Sequence, residues 1–191
     1  MAQPKILAFA GSTRTESWNK KLIKVAVEGA RAAGADVTLI DLRDFPMPLY
    51  DGDLEAAGFP DNARKLKLLF LDHSGLLISS PEYNSSVSGV LKNSIDWVSR
   101  SEPGEAPLAC YTDKVAALLS ASPGALGGLR GLVTLRSILG NIKVLVLPDQ
   151  VSVMKAHEAF NPDGTLKDAK QAASVQKLGK TLTETLSKLR A

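Results

Sequence analysis

The sequence predicts an α/β three-layer sandwich around a five-stranded parallel sheet. Three observations lead there. Short apolar runs lack polar alternation, segments of helical period separate them in strict alternation, and no internal repeat is present.

Residues 6–10, Ile-Leu-Ala-Phe-Ala, stop at Gly11 and read as a strand buried on both faces. Leu22, Val25, Ala26 and Gly29 recur at helical spacing, and Gly34 stands where a helix C-cap belongs. The second strand is 37–40. Residues 43–60 hold three prolines and two glycines, which predicts an irregular surface excursion. A helix over 61–71 leads to the third strand, 75–79. Val87, Val90, Leu91, Ile95 and Val98 mark the next helix, entered through Ser85 and Ser86. A proline-rich connection, 101–107, precedes the fourth strand at 115–119. Leu132, Leu135 and Leu139 line a fourth helix, 142–146 reads as the fifth strand, and Val175, Leu178, Leu182, Leu186 and Leu189 close with a long amphipathic helix.

Five strands in this alternation favour the flavodoxin-like order 2-1-3-4-5. Ligands on such sheets sit at the carboxyl ends of the strands, where the strand order reverses. The loops after strands one, three and four are therefore the places for chemistry.

Composition bounds the function. With 191 residues, 45% hydrophobic and 23% charged, the chain suits one globular domain spanning 1–191. A net charge of +3 from 23 basic and 20 acidic residues is too even for a nucleic-acid binder. Lys167, Lys170, Lys177, Lys180, Lys188 and Arg190 alternate with Asp168 and Glu184 as on a solvated helix face. The single Cys110 excludes an internal disulfide and suits a reducing compartment. The N-terminus runs into the first strand without a signal segment, and no apolar run reaches membrane-spanning length. The expectation is a soluble, cytoplasmic protein without nucleic-acid or membrane partners. His73 and His157 read as surface residues outside any metal-ligand pattern.

The first loop, Gly11-Ser12-Thr13-Arg14-Thr15-Glu16-Ser17-Trp18-Asn19, sets hydroxyls, a guanidinium and free amides at a helix N-terminus, where the helix dipole favours an anion. That suits a phosphate. It lacks the spaced glycines of a dinucleotide fingerprint and the lysine of a P-loop. Ser17 or Asn19 also suits a simple helix cap. The second loop, Ser80-Pro81-Glu82-Tyr83-Asn84, has a proline that fixes its backbone, an aromatic ring and a side-chain amide. The third, Ser120-Ala121-Ser122-Pro123-Gly124-Ala125-Leu126-Gly127-Gly128-Leu129-Arg130, offers serines and three glycines for close backbone approach.

These segments, with Gly89-Val90-Leu91-Lys92-Asn93 and Ile95-Asp96-Trp97, resemble the NADPH-dependent FMN reductase family, which includes quinone, azo-dye and chromate reductases. The match in order and placement runs from Lys5 to about Val146. The resemblance implies an FMN-dependent NAD(P)H oxidoreductase that takes hydride from NADPH or NADH and passes it to a quinone, azo compound, free flavin or similar acceptor. It implies FMN phosphate on Gly11, Ser12, Arg14, Ser17 and Asn19, the flavin ring beside Pro81, Glu82, Tyr83 and Asn84, and the ribityl chain and ring beside Ser120, Ser122 and Gly124. No side-chain catalyst is implied, since the cofactor carries the chemistry. It further implies a homodimer or homotetramer, with the helix after the second loop at the interface; Asp96 and Trp97 serve assembly there, or Trp97 is a buried structural residue. Two rivals remain, a flavodoxin-type one-electron carrier without a nicotinamide site and a flavin-free regulatory domain. The basic pI of about 9.0 counts against the first.

Overall fold

The computed structural model describes residues 3–189, so Met1, Ala2, Arg190 and Ala191 lie outside the described residues. The elements are β1 (Lys5–Ala10), α1 (Trp18–Ala32), β2 (Asp36–Asp41), α2 (Gly52–Ala57), α3 (Asp61–Asp72), β3 (Gly75–Ser79), β4 (Glu82–Tyr83), β5 (Ser86–Val87), α4 (Gly89–Val98), β6 (Val115–Ala121), α5 (Leu129–Asn141), β7 (Leu145–Val153), α6 (Ala156–Ala159) and α7 (Ala169–Leu189).

The main sheet has the order β2-β1-β3-β6-β7, every pairing parallel. Counting only its own strands, this is the expected 2-1-3-4-5. Strand residues alternate between two cores, as the period of two requires. Ile6, Ala8, Ala10, Leu77, Ala117 and Leu119 pack with α1 and α7. Leu7, Phe9, Leu76, Ile78, Ala116 and Leu118 pack on the other face with α3, α4 and α5. Both faces being covered is why these strands read as unbroken apolar runs.

On the first face α1 and α7 meet almost backbone to backbone. A Cβ at Gly29 would lie 2.0 Å from the Gln176 carbonyl oxygen, and one at Gly179 would lie 2.1 Å from that of Ala26. Only glycine allows this approach. The lysines of the C-terminal segment, Lys167, Lys170, Lys177, Lys180 and Lys188, are exposed, with Lys180 paired to Glu184 at 3.6 Å.

Four local expectations are corrected. The fifth strand is Leu145–Val153, not 142–146. Ile142 and Val144 belong to the exit of α5, where their amides bond the Ile138 and Leu139 carbonyls and Lys143 adopts φ 73°. Pro148 sits inside this edge strand at a register shift, a position that needs no ladder donor. Second, Ser85 and Ser86 do not enter a helix. Asn84 (φ 51°) and Ser85 (φ 64°) form the tip of a two-residue hairpin between β4 and β5, which also takes Val87. The cap of α4 is Ser88, whose oxygen accepts from the Leu91 amide at 3.3 Å.

Third, the 43–60 excursion contains α2 and is pinned at its middle. Trp97 is fully buried, donates its indole N–H to the Pro48 carbonyl at 2.8 Å and packs edge-on against Tyr50 and Phe59. Trp97 is thus the buried structural tryptophan of the two readings. Fourth, His73 is buried, not at the surface. Its Nδ1 lies 2.6 Å from the Leu69 carbonyl and its Nε2 2.7 Å from the Thr38 hydroxyl. The carbonyl can only accept, so Nδ1 donates to it, and Nε2 meets the Thr38 hydroxyl. The ring closes the end of α3 and ties it to β2. His157 is exposed, as expected.

Candidate functional site

The carboxyl ends of β1, β3 and β6 deliver the three loops to one cleft, at the point where the chain order turns back from β1 to β3. Its lining includes Ser12, Arg14, Ser17, Asn19, Pro81, Glu82, Tyr83 and Ser122. Of the expected residues, Gly11, Asn84, Ser120 and Gly124 are not in that lining. Trp18, Ala121 and Pro123 are; all three stand within the loop motifs, though none was among the expected site residues.

Gly11 is needed beneath the loop. Its amide donates to the Ser79 carbonyl at 2.9 Å, its carbonyl accepts from the Ser88 hydroxyl at 2.6 Å, and a Cβ there would lie 2.9 Å from Leu91 Cδ2. Ser12 is buried, and its oxygen accepts from the Arg14 amide at 3.3 Å, which leaves the hydroxyl proton to be donated elsewhere. Ser17 occupies the N-cap position of α1, yet its side chain makes no cap bond. No acidic residue lies in the first turn of that helix. The amides and dipole of α1 therefore face the cleft uncompensated, the condition for binding an anion. Arg14 is exposed, with its guanidinium 5.7 Å from the Trp18 ring centroid.

Asn19 does something else. Its Oδ1 accepts from the Ser79 hydroxyl (2.9 Å) and the Ala121 amide (3.0 Å), and its Nδ2 donates to the Ala121 carbonyl (2.9 Å). The side chain clamps the start of α1 to β3 and β6, and so fixes the spacing of all three loops.

Glu82 is likewise committed. Its carboxylate accepts from Arg130 Nε (2.9 Å) and Nη2 (2.7 Å), and from the Gly131 amide (3.2 Å). Gly128 at the N-cap of α5 has no side chain to cap with, so Glu82 supplies the acceptor from another loop. Tyr83 stands half-exposed at the rim, and Asn84 is exposed at the hairpin tip.

In the third loop Ser120 is fully buried and donates to the Gly127 carbonyl at 2.6 Å, holding the loop from below. Ser122 reaches the cleft and accepts from the Gly124 amide at 3.3 Å. Gly127 (φ 60°) and Gly128 (φ 90°) make the turn, and a Cβ on either would lie 2.9 Å from a neighbouring atom. Gly124 is exposed, and a Cβ there would meet only Ser122 Oγ, at 3.7 Å.

The cleft holds about 70 Å³, the scale of a phosphate group and not of a three-ring system. A larger hollow of about 470 Å³ lies on the β2 side of the first loop. Its cations are largely spent on neighbours: Lys20 pairs with Asp41 at 2.5 Å and Lys21 with Glu16 at 3.4 Å. Burial alone would raise the Asp41 carboxyl, but the bonds from Lys20 and the Arg43 amide outweigh it and hold it below the ordinary carboxylate value. The smaller cleft keeps the Ser12 and Ser17 hydroxyls and the Arg14 guanidinium for a ligand, so it is the better anion site.

Comparison with known proteins agrees with this geometry. The profile of the family described as NADPH-dependent FMN reductase matches residues 4–158. An NAD(P)H-dependent FMN reductase of Pseudomonas aeruginosa is 36% identical over 173 residues, 90% of this chain and 89% of that protein. An NADPH:quinone oxidoreductase of Arabidopsis thaliana is 35% identical over 170 residues, 86% of this chain and 82% of its own. Among solved structures, a flavoenzyme NAD(P)H:(acceptor) oxidoreductase of Paracoccus denitrificans superposes with a TM-score of 0.80 at 28% identity, covering 97% of this chain and 98% of that one. With the first-loop donors, the Pro81 turn and the third loop gathered at one switch point, the chain belongs to the NADPH-dependent FMN reductase family.

Proposed function

We propose that this FMN-dependent NAD(P)H oxidoreductase seats the flavin phosphate on Ser12, Arg14, Ser17 and the N-terminus of α1, borders the ring with Pro81, Tyr83 and Ser122, and serves quinones or similar small acceptors. When bound, FMN supplies the two-electron chemistry, taking hydride from a reduced nicotinamide and returning electrons to the acceptor. The protein's part is binding and orientation. Ser12 donates its free hydroxyl proton to the anion, and Arg14 adds a charged donor from the rim. Asn19 and Glu82 keep the three loops in register. Pro81 and Tyr83 give the ring a stiff apolar edge, and the open rim leaves a face for a second planar molecule. The Glu82 carboxylate is committed to Arg130 and the Gly131 amide, so its part is to hold the loops in place.

The observation that carries this reading is the convergence of uncompensated donors, Ser12, Ser17 and the first turn of α1, on a phosphate-sized cleft at the switch point. Quinone as acceptor is supported by relatives, among them a 2-hydroxy-1,4-benzoquinone reductase of a Burkholderia species, 33% identical over 155 residues. The same reading takes 1–191 as one FMN-binding unit, with α7 packed on α1 beyond the matched region. It takes the assembly as a homodimer or homotetramer, supported by Leu49, 78% exposed in the segment pinned to α4. A cytoplasmic setting is supported by the lone free Cys110. Among the described residues no helix is long and apolar enough to cross a membrane.

The test is spectroscopic. Protein reconstituted with FMN is expected to bleach under anaerobic NADPH or NADH and to regain its colour on addition of a benzoquinone. Bound FMN that stays yellow with both nicotinamides overturns the reading.

A further inference from the structure

We propose that Arg43, which lies outside the cleft, is a positioning residue that orients the peptide between Thr13 and Arg14 for phosphate binding; this rests on the reading of the first loop given above. Arg43 belongs to a short 3-10 turn after β2, Leu42–Asp44. Its Nε donates to the Thr13 carbonyl at 2.9 Å, its Nη2 donates to the same oxygen, and Nη2 also donates to the Thr15 hydroxyl at 3.0 Å. The arginine is itself braced. Asp41 accepts from the Arg43 amide at 3.0 Å through one oxygen and from Lys20 of α1 at 2.5 Å through the other.

An exposed arginine on a surface carboxylate would carry little meaning, because such pairs contribute little. Here the guanidinium fork instead grips the backbone of the ligand loop. All peptide bonds among the described residues are trans. In a trans peptide the C=O and N–H point in opposite directions. Holding the Thr13 carbonyl on the β2 side therefore turns the Arg14 N–H toward the cleft, where it donates to Ser12 Oγ at 3.3 Å. That bond occupies an acceptor position of Ser12 and leaves its proton for the anion. The loop is thus set in its binding shape before the ligand arrives, which lowers the ordering cost of association. Lysine would reproduce the charge but not the fork.

The experiment is a titration of full-length apoprotein with FMN and, separately, with riboflavin, which lacks the phosphate. Arg43→Ala is expected to weaken FMN by roughly tenfold while moving riboflavin by about twofold or less, as loss of a phosphate-oriented hydrogen bond would. Arg43→Lys is expected to fall between Ala and the wild type. Equal losses for both ligands, or unchanged FMN affinity, would overturn the positioning role. Ser12→Ala separates the two claims. If it loses FMN selectively while Arg43→Ala does not, only the role of Arg43 fails; if it too treats both ligands alike, the phosphate-loop reading fails. Should Arg43→Ala not fold, Arg43→Lys and Thr15→Val carry the same comparison, since each removes part of the grip.

Discussion

Arg14 and Asn19 stand five positions apart in one loop and do opposite kinds of work. Arg14 is exposed and held only by the Trp18 ring and a 3.5 Å contact to the Glu16 carbonyl, so its guanidinium can turn to a ligand. Replacing it with alanine should weaken FMN by roughly 1.5–3 kcal/mol, the worth of a charged hydrogen bond, measured by titration of the apoprotein. An unchanged affinity would remove Arg14 from the site. Asn19 has its amide spent on Ala121 and Ser79, and nothing local in the sequence announces this, because its partner Ala121 lies 102 positions away. Ser120 and Glu82 repeat the lesson. All three read as ligand-facing by residue type and loop, and each is bonded to protein.

At the level of elements, the approach of α1 to α7 rests on Gly29 and Gly179. Gly179→Ala would drive a methyl group to 2.1 Å from the Ala26 carbonyl oxygen, so the helices must separate. The expected loss is about 3 kcal/mol, the upper end of overpacking costs. Gly140→Ala, near the end of α5 with nothing within 4 Å, should be neutral or gain up to about 1 kcal/mol from helix propensity. Urea midpoints of the two variants check this, and equal effects would contradict the close crossing. Helix and strand alternation was legible from periodicity alone. The misplaced elements share one cause: Ile142, Val144 and Val87 are apolar for reasons of packing at a helix exit and a hairpin, and apolar character in a short stretch does not say which backbone carries it.

For the molecule as a whole, carboxylates that hold loops to the body set its response to acid. Burial alone would raise the Glu105 carboxyl, but its bonds from the buried Lys67 ammonium and the Glu102 amide prevail and keep it below the ordinary value; Asp41 is held down in the same way by Lys20 and the Arg43 amide. A carboxyl whose folded pKa is depressed contributes stability that is full above its unfolded pKa and is lost as pH falls through the folded value. Stability should therefore be flat from about pH 7 to 5 and decline below about pH 5, where free carboxylates begin to protonate. Glu105→Gln should be less stable at pH 7 and lose less between pH 5 and 3 than the wild type, read from urea midpoints. A parallel decline in both proteins would show that Glu105 carries no such share.

The sequence by itself determined the sheet, its strand order and the three loops that converge on the candidate cleft, because apolar period and turn residues are local signals that any fold of this kind must obey. Only the tertiary structure decided which polar groups in those loops remain free for a ligand. That depends on partners brought together from distant strands: Ala121 for Asn19, Gly127 for Ser120, the start of α5 for Glu82, and Arg43 behind the first loop. A polar side chain satisfied by its own protein is no longer available to a phosphate, and its satisfaction is a property of three-dimensional packing that residue type does not express.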